Sequence, residues 1–237
     1  MTPRTSSNAR SIPELMEEAS QALLRTAYFE VETLCLKAMS RARTGADFDA
    51  MARITMPLQE ARRQRRHEAI DAGHVIILRD LALPDGNAAP GCYLVEPPLV
   101  GVDARTVRDM LFRRKVPALV LAREPVTDRG LWPIVGVGFG QFQPVVVRVQ
   151  VQPPPGDTPT PQWMLAAQEA LGDAALLKIK PEWPADHRVE DVWDYFEAVP
   201  DHEKLSQAYV ATCREAAAMP ERSPARRRVP FDDPFSF

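Results

Sequence analysis

Three alternating glycines, Gly136, Gly138 and Gly140 in "WPIVGVGFGQFQPVVVRV", come nearest in this chain to a recognisable chemical motif. A glycine-rich turn that leaves a strand and opens a helix can hold phosphate, because the helix start offers free N–H groups and the positive end of a dipole. That chemistry needs G-x-G-x-x-G, or Gly-Lys-Ser/Thr in a Walker loop. Here the spacing is G-x-G-x-G, and Gln141 to Pro144 lead into a β-branched run with no helical period. Alternation instead puts the three glycines on one face of a strand, with Val135, Val137 and Phe139 on the other. A glycine in a strand costs about 0.5–1 kcal/mol relative to alanine. The strip therefore needs a use: a helix or ring packed on bare backbone, a sharp bend, or a ligand laid against it. Packing is the preferred reading, and a phosphate loop is excluded.

Nucleophilic and metal chemistry find little support. Cys35 and Cys213 sit among apolar neighbours on helices, the setting of an inert thiol. Cys92, which follows Gly91, is the one thiol expected near a surface, and nothing in the sequence pairs it with His74. No G-x-S-x-G elbow occurs. His187, Glu190, Asp191 and Asp194 share one helix, but there is no H-E-x-x-H, and the four histidines are scattered. No catalytic residue, cofactor or metal is expected.

Two features suit binding. The run "ARRQRRH" places Arg62, Arg63, Arg65 and Arg66 on one helix, and "RRK" at 113–115 adds a second basic cluster. Guanidinium forks suit phosphate, so a nucleic acid is conceivable. Glu60, Glu68 and Asp71 can pair locally with that run, however, and no aromatic interleaving accompanies it. The C-terminal "VPFDDPFSF" offers Phe231, Phe235 and Phe237 on a polar tether, which either docks on a partner or folds back onto the body.

The bulk numbers agree with a soluble binding protein. The chain has 237 residues, 45% hydrophobic and 26% charged, and a net charge of −3 gives no overall pull toward nucleic acid or an anionic membrane. Three cysteines without CxxC spacing fit a reducing compartment. With no secretory core near the start and no apolar run of membrane length, the cytosol is the expected location and no membrane is expected as partner.

These residues must be positioned by a mixed set of elements. Residues 1–10 read as a disordered lead. Ser11 and Glu14 form a capping-box pattern that opens one long helix through "ELMEEASQALLRTAYFEVETLCLKAMSRAR". Gly45 stops it and Asp47 caps a second helix, bent or broken at Pro57 and ending at Gly73. The two must form an antiparallel hairpin over 11–73. A mixed-sheet unit follows over 74–152. It holds strands at 74–78, 92–95, 118–122, 131–139 and 145–151, and a crossover helix capped by Asp103 makes 92–95 and 118–122 parallel neighbours. "PPPGDTPTP" connects to helices over 160–219 that pack on the sheet. One is capped by Thr160 and ends at Gly172; Asp186 and Asp201 cap the others. Residues 220–237 form a flexible tail.

"TGADFDAMARITMPLQEA" resembles the turn and second helix of a tetratricopeptide repeat, with Asp47, Phe48, Ala52 and Ala61 at the matching places. The likeness covers one hairpin, about 12–72, without the further copies a solenoid needs. It implies a helical protein-contact module. The chain as a whole also has the look of bacterial proteins, a likeness that supplies no residue roles.

The expected fold is α+β: an N-terminal helical hairpin, a five-stranded mixed sheet with a crossover helix, and C-terminal helices. The expected function is non-catalytic protein interaction or scaffolding through the hairpin and tail, with a protein as partner. The alternatives are nucleic-acid binding by the basic helix, or a small-molecule or enzyme pocket against the Gly136–Gly140 strand.

Overall fold

Ser11 and Glu14 close the expected capping box. The Ser11 Oγ accepts from the Glu14 N–H, and the Glu14 carboxylate accepts from the Ser11 N–H at 2.6 Å. A computed structural model describes residues 10–81, 88–139 and 144–224. Helix α1 covers Ile12–Leu24, but it does not continue as one long helix. The chain turns at Arg25–Ala27 and α2 spans Tyr28–Thr44. Thr26 takes a left-handed conformation (φ 56°), its N–H reaches the Leu23 carbonyl, and the Ala27 N–H reaches the Ala22 carbonyl. That is a Schellman ending, which usually carries glycine. No glycine or proline marked it in the sequence.

The same device ends α2, where Ala46 (φ 46°) takes the left-handed place and Gly45 remains in ordinary helical geometry. Asp47 then caps α3, Phe48–Asp71, by accepting from the Ala50 N–H at 2.9 Å. Pro57 neither ends nor divides this 24-residue helix. The hairpin is thus a three-helix layer whose small buried residues, Ala19, Ala22, Ala38 and Ala61, allow close approach.

The strands are β1 Val75–Leu78, β2 Gly91–Val95, β3 Ala118–Arg123, β4 Trp132–Phe139 and β5 Pro144–Val151, in the order 1-2-3-4-5. The first three are parallel, and β4 and β5 are added antiparallel. The crossover α4, Gly101–Arg113, covers one face with Ala104, Val107 and Leu111 against Tyr93, Val95 and Val135. On the other face lie α3 and the C-terminal helices, packed on Cys92, Leu94, Leu119, Leu121 and Ile134. Asp103 opens α4 from inside its first turn, its carboxylate accepting from the Val100 N–H at 2.8 Å. The fold is α+β, as the element pattern implied.

Helix α5 spans Pro161–Leu176 and is capped by Thr160, but it runs through Gly172. A Cβ at Gly172 would lie 2.1 Å from the His202 ring, so this glycine serves close approach and not helix termination. Helix α6 spans Ala185–Ala198 with Pro184 at its N-cap, and α7 spans Glu203–Ala217 with His202 there. The aspartates expected at those caps are used otherwise. Asp186 accepts from the Ser223 N–H at 2.7 Å, and the Asp201 carbonyl accepts from Arg66. Among the described residues no helix is long and apolar enough to cross a membrane.

Candidate functional site

The glycine strip is filled. A Cβ on Gly136 would stand 2.8 Å from the Ala198 carbonyl oxygen, and one on Gly138 would stand 2.7 Å from that of Asp194. Real Cβ atoms do not approach backbone so closely, so α6 lies directly on bare strand. The opposite face of β4 is equally tight, with Val137 2.8 Å from a Cβ built on Gly101. The strip is therefore packed, and a ligand against Gly136 and Gly138 is displaced by α6. Gly140 lies outside the described residues.

Next to this strip the sheet opens. Strands β3 and β4 pair only at Ala122↔Val135 and Arg123↔Ile134, although β3 has six residues and β4 eight. Beyond Ala122 toward Ala118 the two have no register. Side chains from α4 and the turn between α6 and α7 occupy the notch. A small gap of about 30 Å³ there borders Gly136, Leu119 and Arg108. It shares Arg105, Arg108, Pro200 and Asp201 with a larger cavity of about 160 Å³ that reaches Arg62 and Arg65 of α3. A cavity of that order holds a benzene-sized guest. Leu36, Leu111, Phe112 and Val116 supply an apolar wall.

The basic helix turns three of the four arginines in its ARRQRRH run inward. Arg62 is 5% exposed; its Nε donates to Glu32 Oε1 at 2.8 Å, its Nη1 to the Pro200 carbonyl at 3.3 Å, and it stacks on Phe196. Arg65 meets Glu32 Oε2 at 2.9 Å between the rings of Phe29 and Phe112. Arg66 donates to the Asp201 carbonyl and pairs with Glu203 at 3.0 Å. Within that run Arg63 alone faces outward, onto Glu60 at 2.8 Å. Local pairing with Glu60 holds only for Arg63; Arg62, Arg65 and Arg66 instead join α3 to α2 and to the C-terminal helices. Burial opposes the charge on Arg62, but Glu32, Glu197 and Asp201 outweigh it and hold its pKa above the ordinary value. Glu32 is the mirror case: burial raises its pKa, and Arg62 and Arg65 more than reverse that. The cluster at Arg113–Lys115 is exposed at the C-terminus of α4, where the helix dipole favours cations.

Arg105 and Arg108 of α4 were not singled out by sequence. Arg105 stacks on Phe139 and meets Glu197 at 3.5 Å. Arg108 donates to the Glu197 backbone carbonyl at 3.3 Å and makes no salt bridge among the described residues. Burial, followed by repulsion from Arg105, pushes its pKa below the ordinary value, against the weaker pull of Glu197, Asp201 and Asp109. Its positive charge is under-compensated. One signal was legible: Glu32, inside the apolar run "VETLCL", must meet a cation once α2 is buried.

The thiols are inert here. Burial raises Cys35 and Cys213 to about 12 and Cys92 to about 11, and Cys92 is fully buried with its Sγ directed to the Ala69 carbonyl. Cys92 is therefore not near the surface, because β2 is a central strand covered on both faces. Glu190, from the acidic set on α6, pairs with Arg43, and no group of three or more metal-binding side chains gathers among the described residues. Phe231, Phe235 and Phe237 lie outside the described residues. The chain leading to them is held at Arg222, which donates to the Ala46 carbonyl at 3.0 Å and stacks on Phe48. Comparison with protein-family models, curated proteins and solved structures finds no match to this chain.

Proposed function

We propose that the protein is a non-catalytic binding protein whose ligand is a small carboxylate with an apolar body. The ligand would sit in the cavity between α3, α4 and the α6–α7 turn. One observation carries this reading: Arg108 borders a cavity of about 160 Å³ with no carboxylate of the described residues in a salt bridge with its guanidinium. A carboxylate there would form a charge-assisted, two-pronged contact with it, while Leu111, Phe112 and Val116 would cover the ligand's apolar part. The buried, protonated thiols favour binding over cysteine chemistry.

Calorimetry and thermal shift with small carboxylates and inorganic phosphate test it. An apolar carboxylate should bind and raise the Tm, and Arg108→Gln should abolish both effects. No response to any carboxylate at millimolar concentration would overturn the reading, as would equal binding by Arg108→Gln.

Protein contact is the second reading, favoured by a specific patch. Val100, Val102 and Phe139 are 55%, 44% and 51% exposed around Arg105 at the rim of the same region. The tetratricopeptide-like layer and the tail with Phe231, Phe235 and Phe237 are further candidate contact regions of this reading. Removing residues 225–237 tests the tail. Loss of a co-purifying protein at unchanged Tm supports docking, and a lowered Tm makes the tail part of the fold.

A further inference from the structure

The cavity wall is not simply basic. Its guanidinium groups are those of Arg62, Arg65, Arg105 and Arg108, and against them stand the carboxylates of Glu32, Asp109, Glu197 and Asp201. Formal charge is balanced, so a ligand that brings a charge of each sign keeps that balance. Pairing inside the wall removes most of these groups. Glu32 holds Arg62 and Arg65, and Arg105 lies between Glu197 at 3.5 Å and Asp109 at 3.9 Å. One group of each sign is left over. Neither Arg108 nor the Asp201 carboxylate makes a salt bridge among the described residues, and the Asp201 charge acts on Arg108 and Arg62 only at longer range.

A ligand that completes this wall carries both charges, separated by a short polar head, and an apolar body. Resting on the carboxylate reading above, we infer that the cavity binds a free α-amino acid with an apolar or aromatic side chain. The α-carboxylate lies on Arg108, the α-ammonium on Asp201, and the side chain on Leu36, Leu111, Phe112 and Val116. Such a ligand is neutral overall, so it enters the charge-balanced wall without upsetting it, and it relieves both leftover charges at once. A polar atom nearby agrees with an unfinished site: Arg65 Nε is buried without a hydrogen-bond partner among the described residues.

Calorimetry separates this inference from the broader one. The probes are leucine and phenylalanine, their deaminated counterparts 4-methylpentanoate and 3-phenylpropanoate, and the amine phenethylamine. The amino acids should bind at least about tenfold more tightly than either half-molecule, a difference of about 1.4 kcal/mol. Asp201→Asn should remove that advantage and leave 3-phenylpropanoate unaffected, whereas Arg108→Gln should weaken both classes. Asp201→Ser is the second variant, and an unchanged Tm for either shows that the fold has survived. Equal affinity for phenylalanine and 3-phenylpropanoate, or an amino-acid preference that persists in both Asp201 variants, overturns the inference and leaves the carboxylate reading standing. Absence of binding by every probe overturns both.

Discussion

Arg62 of α3 and Arg108 of α4 border one cavity but stand in opposite electrostatic states. Arg62 is buried, doubly hydrogen-bonded and stacked, and its charge is reinforced by Glu32, Glu197 and Asp201. Arg108, on the wall of the same cavity, is disfavoured by burial and by Arg105 and has only a backbone carbonyl to donate to among the described residues. The difference separates cations that hold layers together from a cation available to a ligand. Removing one partner of a buried pair leaves a charge stranded in low dielectric, at a cost of about 3–5 kcal/mol. Removing an under-compensated charge relieves repulsion.

The sharpest way to break this contrast is to truncate one member of each set. Glu32→Ala should lower stability by about 3–5 kcal/mol in chemical denaturation, because Arg62 and Arg65 would lose their shared carboxylate. Arg108→Gln should change stability by less than about 1 kcal/mol. If both variants unfold equally early, Arg108 is as structural as Arg62 and the cavity reading loses its basis.

A smaller effect tests the packing that shapes the notch. Gly138→Ala would put a methyl group 2.7 Å from the Asp194 carbonyl and 2.9 Å from the Ala198 nitrogen. Both atoms are backbone of α6, which cannot yield as a flexible side chain would. A loss of about 1–3 kcal/mol is expected, the range of overpacked cores. Because α6 and the turn after it carry Glu197, Pro200 and Asp201, the same variant should weaken ligand binding. Unchanged stability would mean that α6 is free to move away from β4.

The glycines show how far sequence alone reaches. Alternation in β4 correctly indicated a strand face pressed by something, because a period of two has a single geometric meaning. It could not say that the presser was the backbone of α6, some sixty residues onward. The basic run was equally visible, but its direction was not. Arg62 and Arg66 lie on the same stripe as Leu58, Ala61 and Ala69, and only the position of Glu32 on the neighbouring helix turns that stripe inward. The cavity is lined by α2, α3, α4 and the turn after α6, elements far apart in the chain, which no local pattern records.

A pH effect sets the C-terminal turn apart from the arginine pairs. His202 is fully enclosed beneath Gly172, and its Nδ1 accepts from the Leu205 N–H at 3.3 Å. The groups facing it are Glu169 and Asp173, which favour its charge, and Lys204 and Arg66, which oppose it. Burial is the largest influence, and the pKa falls below the usual 6.5. The unfolded chain therefore takes up a proton at His202 before the folded one does. Stability is full above pH 6.5 and declines as pH falls toward the lowered folded pKa, by at most about 1.4 kcal/mol per pH unit from this group. Denaturation at pH 7 and pH 5 should show the decline, and His202→Asn, which retains a capping side chain, should flatten it. An unchanged slope would place the acid sensitivity in other groups.

The smallest expected effect concerns the turn that sets α3 against α2, and with it the meeting of Arg62 and Glu32. Ala46 holds φ 46° at the Schellman position after α2. A left-handed conformation costs a residue with a Cβ about 1–2 kcal/mol, while glycine's extra freedom in the unfolded chain returns about half of that. Ala46→Gly should thus stabilise the protein by about 0.5–1 kcal/mol. The Arg222 contact to the Ala46 carbonyl is made by backbone and survives the change. Because the turn governs only the spacing of two helices already locked by the Glu32 pairs, ligand affinity should not move. A gain in stability accompanied by altered affinity would show instead that strain at Ala46 is transmitted along α3 to the cavity.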